Sequence, residues 1–227
     1  MSDVATLWVQ AIEGTLVLFF VGGILALVLG VIVGAMRVSP VPVARAVGTV
    51  YVNWIRNTPL TLVMFFFAFC IPILLGQRIS AITLATVALG VYTATYVAET
   101  IRSGVNTVPV GQAEAARAIG LNFGQVMSLV IFPQAFRSVV PPMMSVLIAL
   151  LKNTTVAAGF SVLNLGSVTA NLSEHREAGG SGNIFLEMVT GENQLLTLLL
   201  IAAIFVVLVL LLAWLQRVLE KKWRVER

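Results

Sequence analysis

Charged residues, cysteine and histidine are scarce in this sequence of 227 residues. Only 11% of the residues are charged, against about 25% in a typical soluble domain, which argues against a soluble fold. The single cysteine, Cys70, excludes an internal disulfide, and its apolar surroundings predict a buried, unreactive thiol. The single histidine, His175, lies in a polar stretch, so we expect a solvated loop residue and no metal site.

Long apolar runs occupy most of the chain, and 59% of all residues are hydrophobic. A membrane-spanning helix needs roughly 20 apolar residues, so the chain has room for about five or six spans. We therefore expect an all-α integral membrane protein that forms one domain over residues 1–227. The runs lie at 14–36, 59–75, 79–101, 138–172 and 195–215. In the first run, Gly30 and Gly34 are spaced so that another helix could approach closely.

The basic residues are unevenly distributed between the runs. Eleven of the fourteen lie in segments 37–57 and 102–137 or after Trp214. Because cytoplasmic loops are rich in Lys and Arg, the N-terminus is predicted outside, the C-terminus inside, and the number of crossings odd. Region 138–172 is too long for one straight span, and two crossings there would place the basic tail outside. We therefore expect one crossing plus a bent or partly re-entrant piece, and about five spans in all.

The segment TVPVGQAEAARAIGL, at 107–121, is too short and too polar to cross a membrane. Most of its residues favour a helix, for which Thr107 is a suitable cap and Pro109 a suitable first-turn residue. Gly120 can adopt the left-handed conformation that ends a helix. We therefore predict a short helix within the polar loop that spans about 102–137.

Two interpretations of this short helix remain open from the residues alone. Glu114 and Arg117 are three residues apart and share one face, while small alanines would let another surface approach closely. The helix is therefore either a docking element for another protein or a solvated connector. Helix propensity does not distinguish the two.

Several motifs together resemble one family. The pattern EAARAIG, followed after nine residues by VIFP, resembles the EAA loop of the permeases of bacterial ABC importers. The family's usual ending is Ile-x-Leu-Pro, so Val130 and Phe132 replace two aliphatic residues and Pro133 is kept. Other segments resemble the polar amino-acid uptake permeases, especially the glutamate type. These are RNTPL (56–60), YVAETIRSGVNTVPVGQAEAARAIG (96–120), FPQAFRS (132–138) and LLKNTT (150–155).

The resemblance implies a type I ABC importer permease in the bacterial plasma membrane, with a cytoplasmic coupling helix that inserts into an ATPase subunit. The implied partners are two cytoplasmic ABC ATPases, a second permease (identical or homologous), an extracytoplasmic amino-acid-binding protein and membrane lipid, but no nucleic acid. A GxxxxGK[ST] loop is absent, so the chain is not expected to be an enzyme or to bind a cofactor, and ATP and Mg belong to the partner ATPase. The implied ATPase-coupling residues are Gln112, Glu114, Ala115, Ala116, Arg117, Gly120 and Pro133.

Polar residues close to or within the apolar runs mark a candidate substrate pathway or gate, because such groups are costly in a membrane. Lys152 could attract a carboxylate, although snorkelling or a structural helix break would also explain the KNTT sequence. Glu99 forms either a local pair with Arg102 or a gate. The candidates are Lys152, Asn153, Thr154, Thr155, Glu99, Asn57 and Thr58, the last two being pathway groups or caps at the start of the second helix.

The leading functional hypothesis is the permease subunit of an ATP-driven, binding-protein-dependent importer of glutamate or another polar amino acid. The polar segment 173–193 is then expected to contribute to the outer docking surface. The alternative is an ATP-independent secondary transporter or channel. Ion coupling would require acidic residues within the membrane, and only Glu13 and Glu99 are available, both at span ends. A membrane enzyme is disfavoured by the lone histidine, the lone cysteine and the lack of paired carboxylates.

Overall fold

The computed structural model describes residues 2–168 and 194–223, and within these ranges the regular structure is entirely helical. The predicted outer segment 173–193, with His175, lies outside the described residues. Two π-helical turns, Phe66–Cys70 and Val126–Ile131, and a 3-10 helix, Thr154–Phe160, connect α-helices. The α-helices are α1 (Ser2–Val38), α2 (Pro42–Asn57), α3 (Leu60–Phe65), α4 (Ile71–Leu75), α5 (Ala81–Asn106), α6 (Val110–Ala118), α7 (Phe123–Gln125), α8 (Phe132–Asn153) and α9 (Gln194–Trp223).

Four helical stretches of the described chain are long and apolar enough to cross a membrane. They are Ala5–Val38, Ala81–Asn106, Phe123–Phe160 and Leu195–Lys221. A fifth candidate is the pair Pro42–Asn57 and Leu60–Leu75, which is bent by 102°. Four or five spans agree with the prediction of about five.

The prediction of a basic loop at 37–57 is wrong, because most of this segment forms helix α2. Proline in the first turn suits a helix start, and Gly48 and Val52 are buried where α2 packs on α1 and α5. The charges of Arg45 and Arg56 indicated a loop, but both are compatible with the edges of an amphipathic helix.

Helices α1 and α5 form the most extensive contact in the fold. A Cβ on Gly30 would overlap the side chain of Val97, and one on Gly34 would lie 3.1 Å from Cβ of Ile101. The two glycines therefore let the helices approach at backbone distance, as their spacing predicted. Cys70, by contrast, is exposed and not buried as expected, because it lies among exposed apolar residues such as Phe66, Phe69 and Ile73.

Helix α8 ends at Asn153, and the chain continues as a 3-10 helix to Phe160. Ser161 then adopts a left-handed conformation with φ of 58°, which changes the chain direction. The predicted break at 152–155 is therefore confirmed. Leu150, just before the break, and Ala157 and Val162, after it, are buried in one apolar cluster with α1, α3 and α5.

Candidate functional site

Helix α6 presents most of the predicted coupling residues to solvent. Gln112, Glu114, Ala115 and Arg117 are exposed, while Ala116 is buried. Arg117 Nε donates a hydrogen bond to the carbonyl of Ala113 at 3.3 Å, one turn earlier. The exposed side of α6 therefore carries one acidic group, Glu114, and one basic group, Arg117, which other parts of the described chain leave open to solvent.

The ends of α6 differ in part from the prediction. Pro109 lies at the N-cap position, and the Thr107 hydroxyl donates to the Gly104 carbonyl at 2.7 Å and does not cap α6. The reason is that Thr107 follows the last turn of α5 and bonds back to it. Gly120 has φ of 90°, so its predicted left-handed conformation is confirmed.

A small apolar cluster supports α6 from below. Ala116, Val126 and Ile131 are buried in it, with Val108 and Leu121 packed around them. The chain returns through a capping box in which Asn122 Oδ1 accepts from the amide of Gln125 at 3.0 Å, and the Gln125 side chain accepts from the amide of Asn122 at 2.9 Å. The segment from 107 to 131 thus has a core of its own that holds α6 in position.

Sequence reasoning missed the apolar part of this surface. Val110, at the start of α6, and Ile119 and Phe123, after its end, are 70%, 79% and 53% exposed. Exposed apolar residues next to a charged helix are typical of a surface that another protein covers. Pro133 is also exposed, in the first turn of α8, where the chain turns back towards the apolar region.

Glu99 is the centre of a cluster of three arginines. Arg102 Nη2 lies 2.5 Å and Nε 3.2 Å from Glu99 Oε1, and Arg37 Nη1 donates to Oε2. Arg56 Nη1 is 3.7 Å from Oε2. The predicted pair with Arg102 is therefore confirmed, but the contacts with Arg37 and Arg56 also connect the ends of α1 and α2 to α5. No local pattern could have indicated these long-range contacts.

Asn57 and Thr58 do not begin the second membrane helix. Asn57 is the last residue of α2, and the Thr58 hydroxyl donates to the Trp54 carbonyl at 2.8 Å. Pro59 occupies the N-cap position of α3, so Asn57 and Thr58 terminate a helix that was not predicted. They directly follow Arg56, which places the RNTP motif beside the Glu99 cluster.

The KNTT sequence contains one exposed residue, two half-buried residues and one buried residue. Lys152 is exposed and Asn153 and Thr155 are half-buried, whereas Thr154 is fully buried and its hydroxyl donates to the Leu151 carbonyl at 2.7 Å. The Thr155 hydroxyl donates to the Lys152 carbonyl at 2.8 Å. The two threonines thus bond to the backbone at the end of α8, which supports a structural part in the helix break.

A buried polar network that sequence reasoning missed holds the chain after the break. Asn164 Nδ2 donates to the Thr154 carbonyl at 3.1 Å, and the amide of Leu165 donates to the Thr15 hydroxyl at 3.0 Å. Asn164 and Thr15 are both fully buried. Non-helical backbone is tolerated at membrane depth only when such partners satisfy it. The asparagine in the apolar sequence SVLNLGS was the available signal.

The predicted site residues therefore fall into three groups. The predicted coupling residues lie on or next to α6, except Pro133 at the start of α8. Glu99 joins the ends of α1 and α2, where Asn57 and Thr58 follow Arg56. Of the KNTT residues, Thr154 is bonded to Asn164 in the break network. Within the described ranges, histidine, cysteine and carboxylate side chains form no group of three or more that could hold a metal ion.

Comparison with known proteins supports the resemblance seen in the motifs. The chain is 38% identical over 183 residues to a glutamate transport system permease protein of Corynebacterium glutamicum, covering 73% of this chain and 79% of the relative. It is 34% identical over 138 residues to an arginine transport system permease protein of Bacillus subtilis, covering 61% of this chain and 56% of the relative.

Two solved structures share the fold. One, described as an amino acid ABC transporter with histidines, has a TM-score of 0.82 and 25% identity, and the match covers 98% of this chain and 96% of that one. The other, an inward-facing methionine ABC transporter, has a TM-score of 0.74 at 19% identity and covers 99% and 100%. A family model described as binding-protein-dependent transport system inner membrane component matches residues 26–225. The chain belongs to this family of inner membrane transport components.

Proposed function

We propose that the chain is the permease subunit of an ATP-driven importer of polar amino acids, and that α6 couples it to a cytoplasmic ATPase. The observation that carries this proposal is the exposure of α6 on a core of its own. Glu114 and Arg117 are held outward while Ala116 anchors the helix beneath them. When a partner protein displaces a helix that is supported in this way, the displacement can be transmitted to the adjacent membrane-spanning helices.

The coupling contact is proposed to include both charged and apolar groups. Glu114 and Arg117 would fix the orientation of the partner, and the exposed Val110, Ile119 and Phe123 would supply apolar area. Motion of α6 would pass through the cluster around Val126 and Ile131 into α8 and through residues 107–109 into α5.

The proposed assembly follows from what one chain lacks. The sequence has no phosphate-binding GxxxxGK[ST] loop, so two ATPase subunits would bind ATP and Mg on the cytoplasmic side. A second permease, identical or homologous, would complete the pathway, and a binding protein would deliver substrate from outside. The basic segments support an N-terminus outside and a C-terminus inside.

Glutamate is the first substrate to test. The relatives named above transport glutamate and arginine according to their names, so the family accepts side chains of either charge. In this chain Lys152 is an exposed cation at the end of α8, next to the half-buried Asn153 and Thr155. We propose that Lys152, Asn153 and Thr155 contact the substrate, while Thr154 shapes the break. Asn57, Thr58 and Glu99 would lie at the inner gate.

The coupling role is tested by Glu114→Lys in proteoliposomes that contain the complete transporter. We expect uptake to fall at least ~tenfold while the complex still assembles in the membrane and basal ATP hydrolysis persists, because a reversed charge would disrupt an oriented interface. Glu13→Lys is the matched control, since Glu13 is exposed on α1, far along the chain from α6. Unchanged uptake by Glu114→Lys would refute the docking role.

The substrate is tested separately with the wild-type complex. Stimulation of ATP hydrolysis is measured with candidate binding proteins loaded with glutamate, glutamine, aspartate or arginine. Glutamate should give the largest stimulation. If proteoliposomes that lack the ATPase take up as much substrate as those with the complete complex, and an ion gradient drives this uptake, the chain would instead be a secondary transporter.

A further inference from the structure

Helix α2 lies between two apolar segments of the chain, α1 and Leu60–Leu75. Helix α1 ends at Val38, and the next apolar segment, Leu60–Leu75, begins after Pro59 and is bent by 102° from α2. If Leu60–Leu75 is the second crossing, a helix at nearly a right angle to it runs along the membrane surface and not through the bilayer. This inference rests on that crossing and not on the coupling role of α6.

The surface of α2 is divided into three sectors. Gly48 and Val52 are buried against α1 and α5, and the Tyr51 hydroxyl on the same side donates to the Val91 carbonyl at 2.7 Å. A second sector carries only apolar residues that are 54–75% exposed: Val43, Val47, Val50 and Trp54. Their spacings of four, three and four residues place them on one face of a helix.

The third sector of α2 is polar and completes the pattern of an interfacial helix. Arg45, Thr49 and Asn53 recur every four residues, and Arg45 and Asn53 are exposed. A helix that packs on a folded domain needs two sectors, one buried and one solvated. A third, exposed apolar sector indicates that part of the helix surface is covered by lipid.

The sequence of α2 and its neighbours along the chain carries positive charge only, and the acidic contact of α2 is that of Arg56 with Glu99. Residues 38–98 contain no Asp or Glu, and the described chain offers the Arg45 guanidinium no ion pair or hydrogen bond. Phosphate groups of anionic lipids would supply its counter-charge. Trp54, near the end of α2, is suited to the boundary between headgroups and acyl chains.

We propose that α2 is a membrane-surface helix that binds anionic lipid, with Val43, Val47, Val50 and Trp54 in the acyl boundary and Arg45 at the headgroup phosphates. Arg56, in the last turn of α2, contacts Glu99 on α5. The lipid surface therefore fixes the position of α2, and α2 in turn supports the end of α5 that leads into the segment before α6.

The depth of α2 is tested by spin labelling of the complete transporter in nanodiscs of phosphatidylcholine and phosphatidylglycerol. In a Cys70→Ser background, nitroxides are attached to Val47→Cys or Val50→Cys, with Asn53→Cys as the matched control on the polar sector. Labels at 47 and 50 should be accessible to oxygen, protected from a water-soluble nickel reagent, and about 5–10 Å below the phosphates. The label at 53 should show the opposite accessibility.

Two results would overturn the lipid contact. Labels at 47 and 50 that are open to the nickel reagent would place the stripe in water. Labels shielded from both reagents, with spin–spin coupling between permease copies, would show that a second chain covers the stripe. Neither measurement depends on uptake or on ATP hydrolysis, so failure here is distinguishable from failure of the proposed transport function.

The preference for anionic lipid is tested by thermal unfolding of the same complex during titration with phosphatidylglycerol. The midpoint should rise with added phosphatidylglycerol in the wild type, because a ligand that binds the folded state stabilises it. Arg45→Gln should lose most of that rise, whereas Arg78→Gln, an exposed arginine beyond the other end of Leu60–Leu75, should retain it. An equal rise in both variants would overturn the role of Arg45.

Discussion

The packed pair α1–α5 and the segment from 107 to 131 both depend on small residues, but for opposite reasons. In the pair, a Cβ on Gly30 would overlap Val97, and one on Gly34 would be crowded by Ile101 at 3.1 Å. In the segment, nothing lies within 4 Å of a Cβ built on Gly111 or Gly120. Small residues therefore allow close packing in the first region, and in the second they leave a surface uncovered or permit an unusual backbone angle.

This difference makes the two regions respond differently to the same substitution. Changes in the pair should cost folding free energy, whereas changes in the segment should leave the fold intact and alter the contact with a partner.

The largest effect on stability is expected for Glu99→Gln, at the end of the packed pair. The Arg37 side chain is only 8% exposed and would lose its carboxylate partner. Glu99 itself is 26% exposed, so the loss should lie at the low end of the range for buried ion pairs, at about 3 kcal/mol. The half-exposed Arg56 and Arg102 should add little. The free energy of unfolding in mixed micelles measures the change.

Glu114→Gln is the matched control in the segment, because it makes the same chemical change at an exposed residue. Its unfolding free energy should change by no more than about 0.5 kcal/mol. Equal losses in the two variants would contradict the distinction between a packed and an exposed region.

The second prediction compares Gly30→Ala with Gly111→Ala. The first adds a methyl group against Val97 and the Ala94 carbonyl, so it should destabilise the protein by about 1–3 kcal/mol. The second adds a methyl group in open space on α6, and the better helix propensity of alanine should stabilise by up to about 1 kcal/mol. The midpoint of thermal unfolding should therefore fall for Gly30→Ala and rise for Gly111→Ala. Shifts in the same direction would contradict the difference between the two regions.

The third prediction concerns backbone conformation in the segment. Gly120 has φ of 90°, so Gly120→Ala should cost about 1 kcal/mol although its Cβ would meet no other atom. Gly159→Ala also adds a methyl group in open space, but at an ordinary backbone angle, and should be nearly neutral. Exchange of the backbone amide hydrogens of residues 107–131 should become faster in Gly120→Ala and stay unchanged in Gly159→Ala. Unchanged exchange in Gly120→Ala would show that the segment accommodates alanine without strain.

Local patterns were sufficient to predict much of this molecule. Apolar length predicted the number of spans, although the candidate span Phe123–Phe160 begins inside the loop predicted at about 102–137. The GxxxG spacing predicted the close contact of α1, and the sequence around Gly120 predicted the end of α6. Each of these depends on neighbouring residues or on one helix face. The break after α8 was also predictable, because KNTT interrupts an apolar run.

The features that were missed depend on contacts between distant residues. Leu165 bonds to Thr15 across 150 positions, and Arg37 bonds to Glu99 across 62. Periodicity carries no information about such pairs. Helix α2 was missed for a different reason, since its arginines suggested a loop although Val43, Val47 and their neighbours follow a helical period.

The smallest effect on stability is expected for Lys152→Met. This substitution tests the difference between packed and exposed positions within a single helix. Lys152 belongs to α8, a helix packed on α5, yet its own side chain is exposed. Its replacement should change the unfolding free energy by no more than about 0.5 kcal/mol. If Lys152 attracts the substrate carboxylate, uptake of glutamate should nevertheless fall severalfold in proteoliposomes. Lys152→Arg keeps the charge and should retain most of the uptake, and normal uptake by Lys152→Met would exclude Lys152 from the pathway.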